Sequence, residues 1–188
     1  MKTSTFTKSA LMAAALIISS ANAKEFKALP ILDNGFCPNI QVGLTAGYMN
    51  LKNVDAQGAT AGIEISLDCP VFTLPWDNLR QQIMLNQFNS DGLKMTNLEF
   101  NPYYLITLNN GVEWGFGPGF GVIFSDTADK GDTVFTLQAG TGLKYNISKE
   151  IYTGADLRWQ WTQEADIGLN QKEDLDNYRA QVKIGYKF

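Results

Sequence analysis

The chain has 188 residues, with 15 Lys and Arg against 19 Asp and Glu and no histidine, for a formal charge of −4. That size suits one domain, and 45% hydrophobic against 18% charged residues excludes disorder as the main state. The acidic balance and the lack of a basic run exclude nucleic-acid binding; the missing histidine removes Ser-His and Cys-His nucleophile pairs, imidazole bases and most zinc sites.

Residues 1–23 read as a secretory signal peptide. Lys2 and Lys8 flank a polar start, Ala10 to Ile18 is an unbroken apolar run, and Ala21-Asn22-Ala23 supplies the small residues of a cleavage site. The run is far shorter than the roughly 20 residues a spanning helix needs. No later segment has a helix-length apolar stretch, so a mature chain entering a membrane must do so as strands closed into a barrel.

From Ile40 onward the hydrophobic period is two. Strands are predicted at 40–49, 60–68, 79–88, 96–108, 112–124, 134–147, 151–162 and 177–188, separated by turn signals such as Ser90-Asp91-Gly92 and Asn109-Asn110-Gly111. In the last segment Tyr178, Ala180, Val182, Ile184, Tyr186 and Phe188 alternate with Asn177, Arg179, Gln181, Lys183, Gly185 and Lys187. Ten glycines, from Gly43 to Gly154, fall on the polar face, which suits the crowded interior of an eight-stranded ring. The apolar face carries Trp114, Phe116, Phe120, Phe124, Tyr145, Trp159, Trp161, Tyr178 and Tyr186, several near strand ends, as interfacial girdles require. The expected fold is therefore all-β, an eight-stranded antiparallel up-and-down transmembrane β-barrel. A soluble lipocalin-like carrier with its polar face outward is the alternative.

The run Gly115-Phe116-Gly117-Pro118-Gly119-Phe120-Gly121 lacks the third glycine spacing and the following helix of a dinucleotide fingerprint, so it reads as interior strand glycines. A three-residue loop at Asn109 to Gly111 sets Pro102 opposite Pro118. The ladders to the outer neighbours are then expected to be broken there, because neither proline has an N–H.

The signal peptide, the eight two-period strands and the closing Tyr186-Lys187-Phe188 together resemble the small outer-membrane barrels of Gram-negative bacteria, the OmpX and OmpA-transmembrane-domain type. The resemblance implies termini in the periplasm, with 24–39 as a periplasmic N-terminal segment and 40–188 as the barrel. It also implies loops near 50–58, 89–94, 125–133 and 163–175 outside, Phe188 as the signal read by the assembly machinery, and outer-membrane lipid and lipopolysaccharide as surroundings of a monomer. Cys37 before the first strand and Cys69 after the second fit that compartment, and an antiparallel hairpin brings both to its periplasmic base, where a disulfide is expected. Metal or catalytic use is the weaker reading of the pair.

By alternation Glu64, Asp68, Glu99, Glu113 and Asp156 point inward together with Arg80, Lys144, Arg158, Arg179, Lys183 and Lys187. Such a set forms a nearly neutral ion-pair network filling the lumen, or else lines a narrow porin-like path. Barrel-type outer-membrane enzymes resemble one another in using a catalytic histidine, which this chain lacks; an acid pair such as Glu99 and Glu113 is the remaining route to acid–base work, and the weaker reading. Loop acids Asp126, Asp129, Asp132, Glu164, Asp166, Glu173, Asp174 and Asp176, against Lys130 and Lys172, read as a solvated face without calcium-loop spacing. No cofactor or metal is expected, and the sequence reads as a non-enzymatic membrane barrel.

Overall fold

The computed structural model describes residues 27–73, 78–90, 92–128, 130–166 and 173–188. The expected signal peptide, residues 1–23, lies outside them. Eight strands form the barrel: β1 (Gln41–Leu51), β2 (Gln57–Asp68), β3 (Leu79–Ser90), β4 (Leu93–Thr107), β5 (Val112–Asp126), β6 (Gly131–Asn146), β7 (Ile151–Thr162) and β8 (Asn177–Lys187). Each pairs antiparallel with its sequence neighbour, and β8 returns to β1, from Asn177 opposite Leu51 to Lys187 opposite Gln41. Closure leaves no barrel edge unpaired, which is the condition for placing strands in lipid.

Polarity is inverted relative to a soluble protein. Along β1, Gln41 and Thr45 are buried in the lumen, whereas Leu44 and Tyr48 are exposed on the outer wall. The same holds around the ring, with Glu64, Glu99 and Arg179 inside and Leu137, Leu157 and Val182 outside. An apolar outer wall over a polar interior fits a barrel whose surrounding solvent is hydrocarbon.

Strands β2, β4 and β6 begin three residues earlier than the sequence pattern places them, at Gln57, Leu93 and Gly131. Those residues have the composition of turns, but cross-strand pairing overrides it: Gly58 lies opposite Met49, and Lys94 opposite both Asn89 and Asp126. Outward residues at this end, Asn50, Gln57, Asn89, Lys94 and Asp126, are polar, so the wall continues beyond its apolar band. The 163–175 connection, expected as a loop, contains a two-residue ladder of Glu164–Ala165 with Glu173–Asp174.

The prolines behave differently from expectation. Leu108 N donates to Val112 O, which makes 108/112 a hydrogen-bonding pair. Every second pair beyond it follows suit, and this series reaches Pro102 opposite Pro118. Both missing N–H groups therefore face each other, and the β4–β5 pairing lapses between Phe100–Phe120 and Tyr104–Phe116. The outer ladders stay whole, with Pro102 opposite Gln81 and Pro118 opposite Ala139.

At the end of the barrel where β1 begins and β8 finishes, the terminus end, Lys27–Ala28 pairs with Phe72–Thr73, and Leu29, at φ 52, leads into a short helical turn at Pro30–Leu32. The expected Cys37–Cys69 disulfide is not formed: both are free, Cys37 exposed and Cys69 buried. The segment carrying Cys37 is fixed through Pro38, whose carbonyl accepts from Asp68 N, whereas Cys69 N turns the other way to Leu79 O on β3. The two residues thus meet different surroundings although their segments are adjacent.

The close β4–β5 approach yields a stability prediction. A Cβ at Gly117 would lie 2.0 Å from Pro102 O, whereas one at Gly35 meets nothing within 4 Å. Gly117→Ala should cost about 1–3 kcal/mol in reversible urea unfolding from lipid, and Gly35→Ala less than about 0.5 kcal/mol. Equal losses from both would show that the clash is relieved without cost.

Candidate functional site: the barrel lumen

Alternation aims one side chain in two at the barrel axis, and the charged ones meet there in three groups. Deepest is Glu99 on β4, which accepts from Arg179 Nη1 and Nη2 on β8, each at 2.8 Å, and from Gln160 Nε2 at 3.3 Å. Arg158 lies 3.9 Å from the same carboxylate and 5.8 Å from the Tyr103 ring. Nearer the terminus end, Lys183 on β8 bridges Glu64 on β2 at 2.9 Å and Asp156 on β7 at 2.7 Å. The glycine opposite Asp156 permits this: a Cβ at Gly142 would lie 2.0 Å from Asp156 Oδ1.

The third group rims the terminus end. Arg80 donates to Asp68 at 2.7 Å, to Ser66 Oγ at 3.0 Å and to Asn39 O at 2.6 Å. Lys144 pairs with Glu113 at 2.6 Å and lies 5.5 Å from the Tyr152 ring centre. All five inward acids are therefore paired. Among the described residues Lys187 joins no ion pair; it stands partly exposed at the last register position, and its amide donates to Glu150 O. Glu99 and Glu113 are not brought together: Glu99 lies opposite Gly121, eight residues along β5 from Glu113, or about 20 Å of barrel axis at usual rise and tilt. Nothing in this arrangement builds an acid–base pair.

At the opposite end the lumen is apolar. Met49, Leu51, Phe88, Leu93, Met95, Ile123 and Val134 point inward, and Ala56, Ala165 and Leu175 from the connecting segments close over them, all buried. This plug is absent from the sequence reading. Its signal was available, because the parity that sends Glu64 and Arg158 inward also sends Met49, Phe88, Met95 and Ile123 inward.

The loop acids serve the backbone. Asp132 accepts from Asp166 N and Thr133 N, each at 2.7 Å, and Asp176 accepts from Thr162 N at 2.7 Å. Lys130 pairs with Asp166 at 2.6 Å, and Asn53 donates to Asp174 at 2.6 Å. Asp129 and Lys172 lie outside the described residues. Among the described residues no group of three acidic, Cys or His side chains is placed to hold a metal.

Eight exposed aromatic residues lie toward the two ends of the outer wall, with Phe120 midway between them, stacked on Phe100 at 5.6 Å. Trp114, Phe116, Tyr145 and Tyr186 lie toward the terminus end, where Trp114 Nε1 donates to Thr141 Oγ1 at 2.8 Å and Tyr186 meets Phe188 at 5.1 Å. Phe124, Trp159, Trp161 and Tyr178 lie toward the plug end, with Trp159 stacked on Tyr178 at 5.8 Å. Along β8, Tyr178 and Tyr186 are separated by about 20 Å of barrel axis, close to the height of an apolar band in this class of wall.

Solved structures share this architecture. Neisserial surface protein A (NspA) matches with a TM-score of 0.65 at 15% identity, covering 79% of this chain and 97% of that one. The N-terminal β-barrel domain of Pseudomonas aeruginosa OprF matches with a TM-score of 0.51 at 15% identity, covering 80% and 98%. The chain has the fold of the small eight-stranded outer-membrane barrels. No family model and no curated protein matches it in sequence.

Burial ranks the ion pairs. Glu99 and Arg179 are fully buried, so Arg179→Met takes both short charged hydrogen bonds from a buried carboxylate, leaves it Arg158 at 3.9 Å, and should cost about 3 kcal/mol in urea unfolding. The Glu99→Gln and Arg179→Met double variant should recover part of that loss, and Arg80→Met at the open rim should lose clearly less. A neutral Arg179→Met would rule out the bidentate pair as a structural tie.

Proposed function

We propose that the protein is an integral outer-membrane barrel without catalytic activity, in a structural or cell-surface role, with its lumen filled by side chains. The inversion of polarity carries this reading: paired charges are buried inside while large apolar side chains, Leu44, Leu157 and Val182 among them, are exposed outside. Residues 1–23 direct the chain across the inner membrane and are removed. The two aromatic belts face lipid and, in the outer leaflet, lipopolysaccharide, and the barrel acts as a monomer.

Two features support the closed lumen. The ion pairs are mutually neutralising, and the inward apolar side chains fill the plug end. Planar-bilayer recording tests it, using refolded protein whose gel mobility shifts on boiling as a closed barrel's does. No discrete current steps are expected. Steps altered by Arg158→Ala or Glu113→Ala would overturn the closed-lumen reading in favour of a narrow channel.

Phe188 is proposed as the residue read by the assembly machinery. Its amide donates to Ile40 O, completing the closing ladder, while its ring stays 80% exposed. Phe188→Ala should lower the amount of barrel recovered in outer membranes severalfold and leave refolding in detergent unchanged. An equal defect in both assays would make the role one of stability.

A further inference from the structure

The lipid-facing wall is not evenly covered by side chains. Across β6, β7, β8 and β1 large and small outward residues alternate in two adjoining rows. Leu143 lies opposite Ala155, Ala155 opposite Val182, and Val182 opposite Ala46; in the next row Thr141 lies opposite Leu157, Leu157 opposite Ala180, and Ala180 opposite Tyr48. The small members are diagonal neighbours, so Thr141, Ala155, Ala180 and Ala46 form a continuous floor. Exposed Leu143 and Val182 wall it on the terminus side, and exposed Leu157 and Tyr48 on the plug side. The groove between them has a volume of about 630 Å³. Beyond Leu157 a second hollow of about 540 Å³ runs over Ala139 to the stacked Trp159 and Tyr178.

The two ends of the groove differ. Trp114, opposite Leu143, reaches diagonally to Thr141, where its Nε1 donates to Oγ1 at 2.8 Å, so the indole closes that end. On β2 the partners of Tyr48 and Ala46 are Ala59 and Ala61, which leave the other end open. The slope follows from the ladders. Followed from Met95 through β3, β2, β1, β8, β7, β6 and β5, they return to β4 at Leu105, nearer the terminus end. The groove therefore descends from an open mouth on the plug side to a stop at Trp114, and its four strand spacings from Ala61 to Thr141 span about 19 Å.

Its chemistry suits hydrocarbon. The Thr141 hydroxyl, which accepts the indole N–H, itself donates to Gly115 O at 3.0 Å, and the ladders hold the backbone beneath. The floor thus offers a ligand no polar anchor. A second barrel fits it poorly, because a symmetric contact sets groove against groove and leaves both unfilled. A flexible chain fills such relief and recovers the dispersion contacts that an empty groove forfeits.

We propose that the groove and the hollow, on either side of Leu157, bind two neighbouring acyl chains of one outer-leaflet lipid, lipopolysaccharide. The chains enter from the plug side, and the one in the groove ends against Trp114. Leu157 is the ridge that parts them.

This site deepens the outer-membrane reading and rests on it, so the boiling shift is established first; a protein without it fails that reading before the lipid is tested. Barrels folded in nanodiscs of phosphatidylethanolamine with a minor share of lipopolysaccharide are then released and weighed by native mass spectrometry. Wild type should retain one lipopolysaccharide. Ala155→Phe, which fills the groove, and Ala139→Phe, which fills the hollow, should each retain severalfold less, whereas Leu137→Phe, on the wall outside both, should match wild type. Wild type released bare, or carrying phosphatidylethanolamine instead, would overturn the proposal. Undiminished retention by either filled variant, or an equal loss in Leu137→Phe, would do the same. If Ala155→Phe lacks the boiling shift, the smaller Ala155→Leu takes its place, with the same losses expected and the same result overturning the site.

Discussion

Closure of β8 onto β1 is the constraint from which the rest of the molecule follows. A ring of eight strands satisfies the backbone within its own ladders, so its outer wall can face lipid, and its radius leaves an interior no wider than side chains. With apolar residues committed to the outside, every alternate residue is forced inward whatever its charge. The inward acids must then find bases within the same narrow space, since an uncompensated charge there is far more costly than a paired one.

The ion pairs do not all do the same work. Asp68 with Arg80 and Glu113 with Lys144 join neighbouring strands that are already held by ladders. Glu99 with Arg179 joins β4 to β8, and Glu64 with Lys183 joins β2 to β8, across the lumen. These cross-lumen ties fix the relative height of strands that share no ladder, so a register slip would separate both at once. They also end in the least exposed part of the network, where water competes least.

Much of this was legible because one physical rule dominates: side chains of a strand alternate, and a membrane wall makes the two faces chemically opposite. Tyr178 to Phe188 shows the rule in its purest form, and the positions of Glu99, Arg158, Arg179 and Lys183 follow from counting alone. Counting did not show that Met49, Phe88, Met95 and Ile123 form a plug, because apolar residues on the polar face become a cluster only when strands far apart in sequence converge. The place of the proline break is not legible in the sequence, because opposition alone does not say which way an N–H points; the Leu108–Val112 bond fixes that. The cysteines share one hairpin base, but the directions taken by Pro38 and Cys69 depend on bonds to Asp68 and Leu79 that spacing does not encode.

The order of the ladders has a kinetic consequence. Seven of the eight join strands consecutive in the chain, and each can form once a single hairpin is in place. The eighth joins the two ends, and the entropy of bringing them together falls almost wholly on that step. A chain lacking only β8 would hold nearly all its local pairing yet present two open edges, at β1 and β7. The same topology makes the ends neighbours, so a circular permutant joined between Phe188 and the segment before Ile40, and opened at the 127–130 connection, would keep every ladder while moving the slow closing step to β5 and β6.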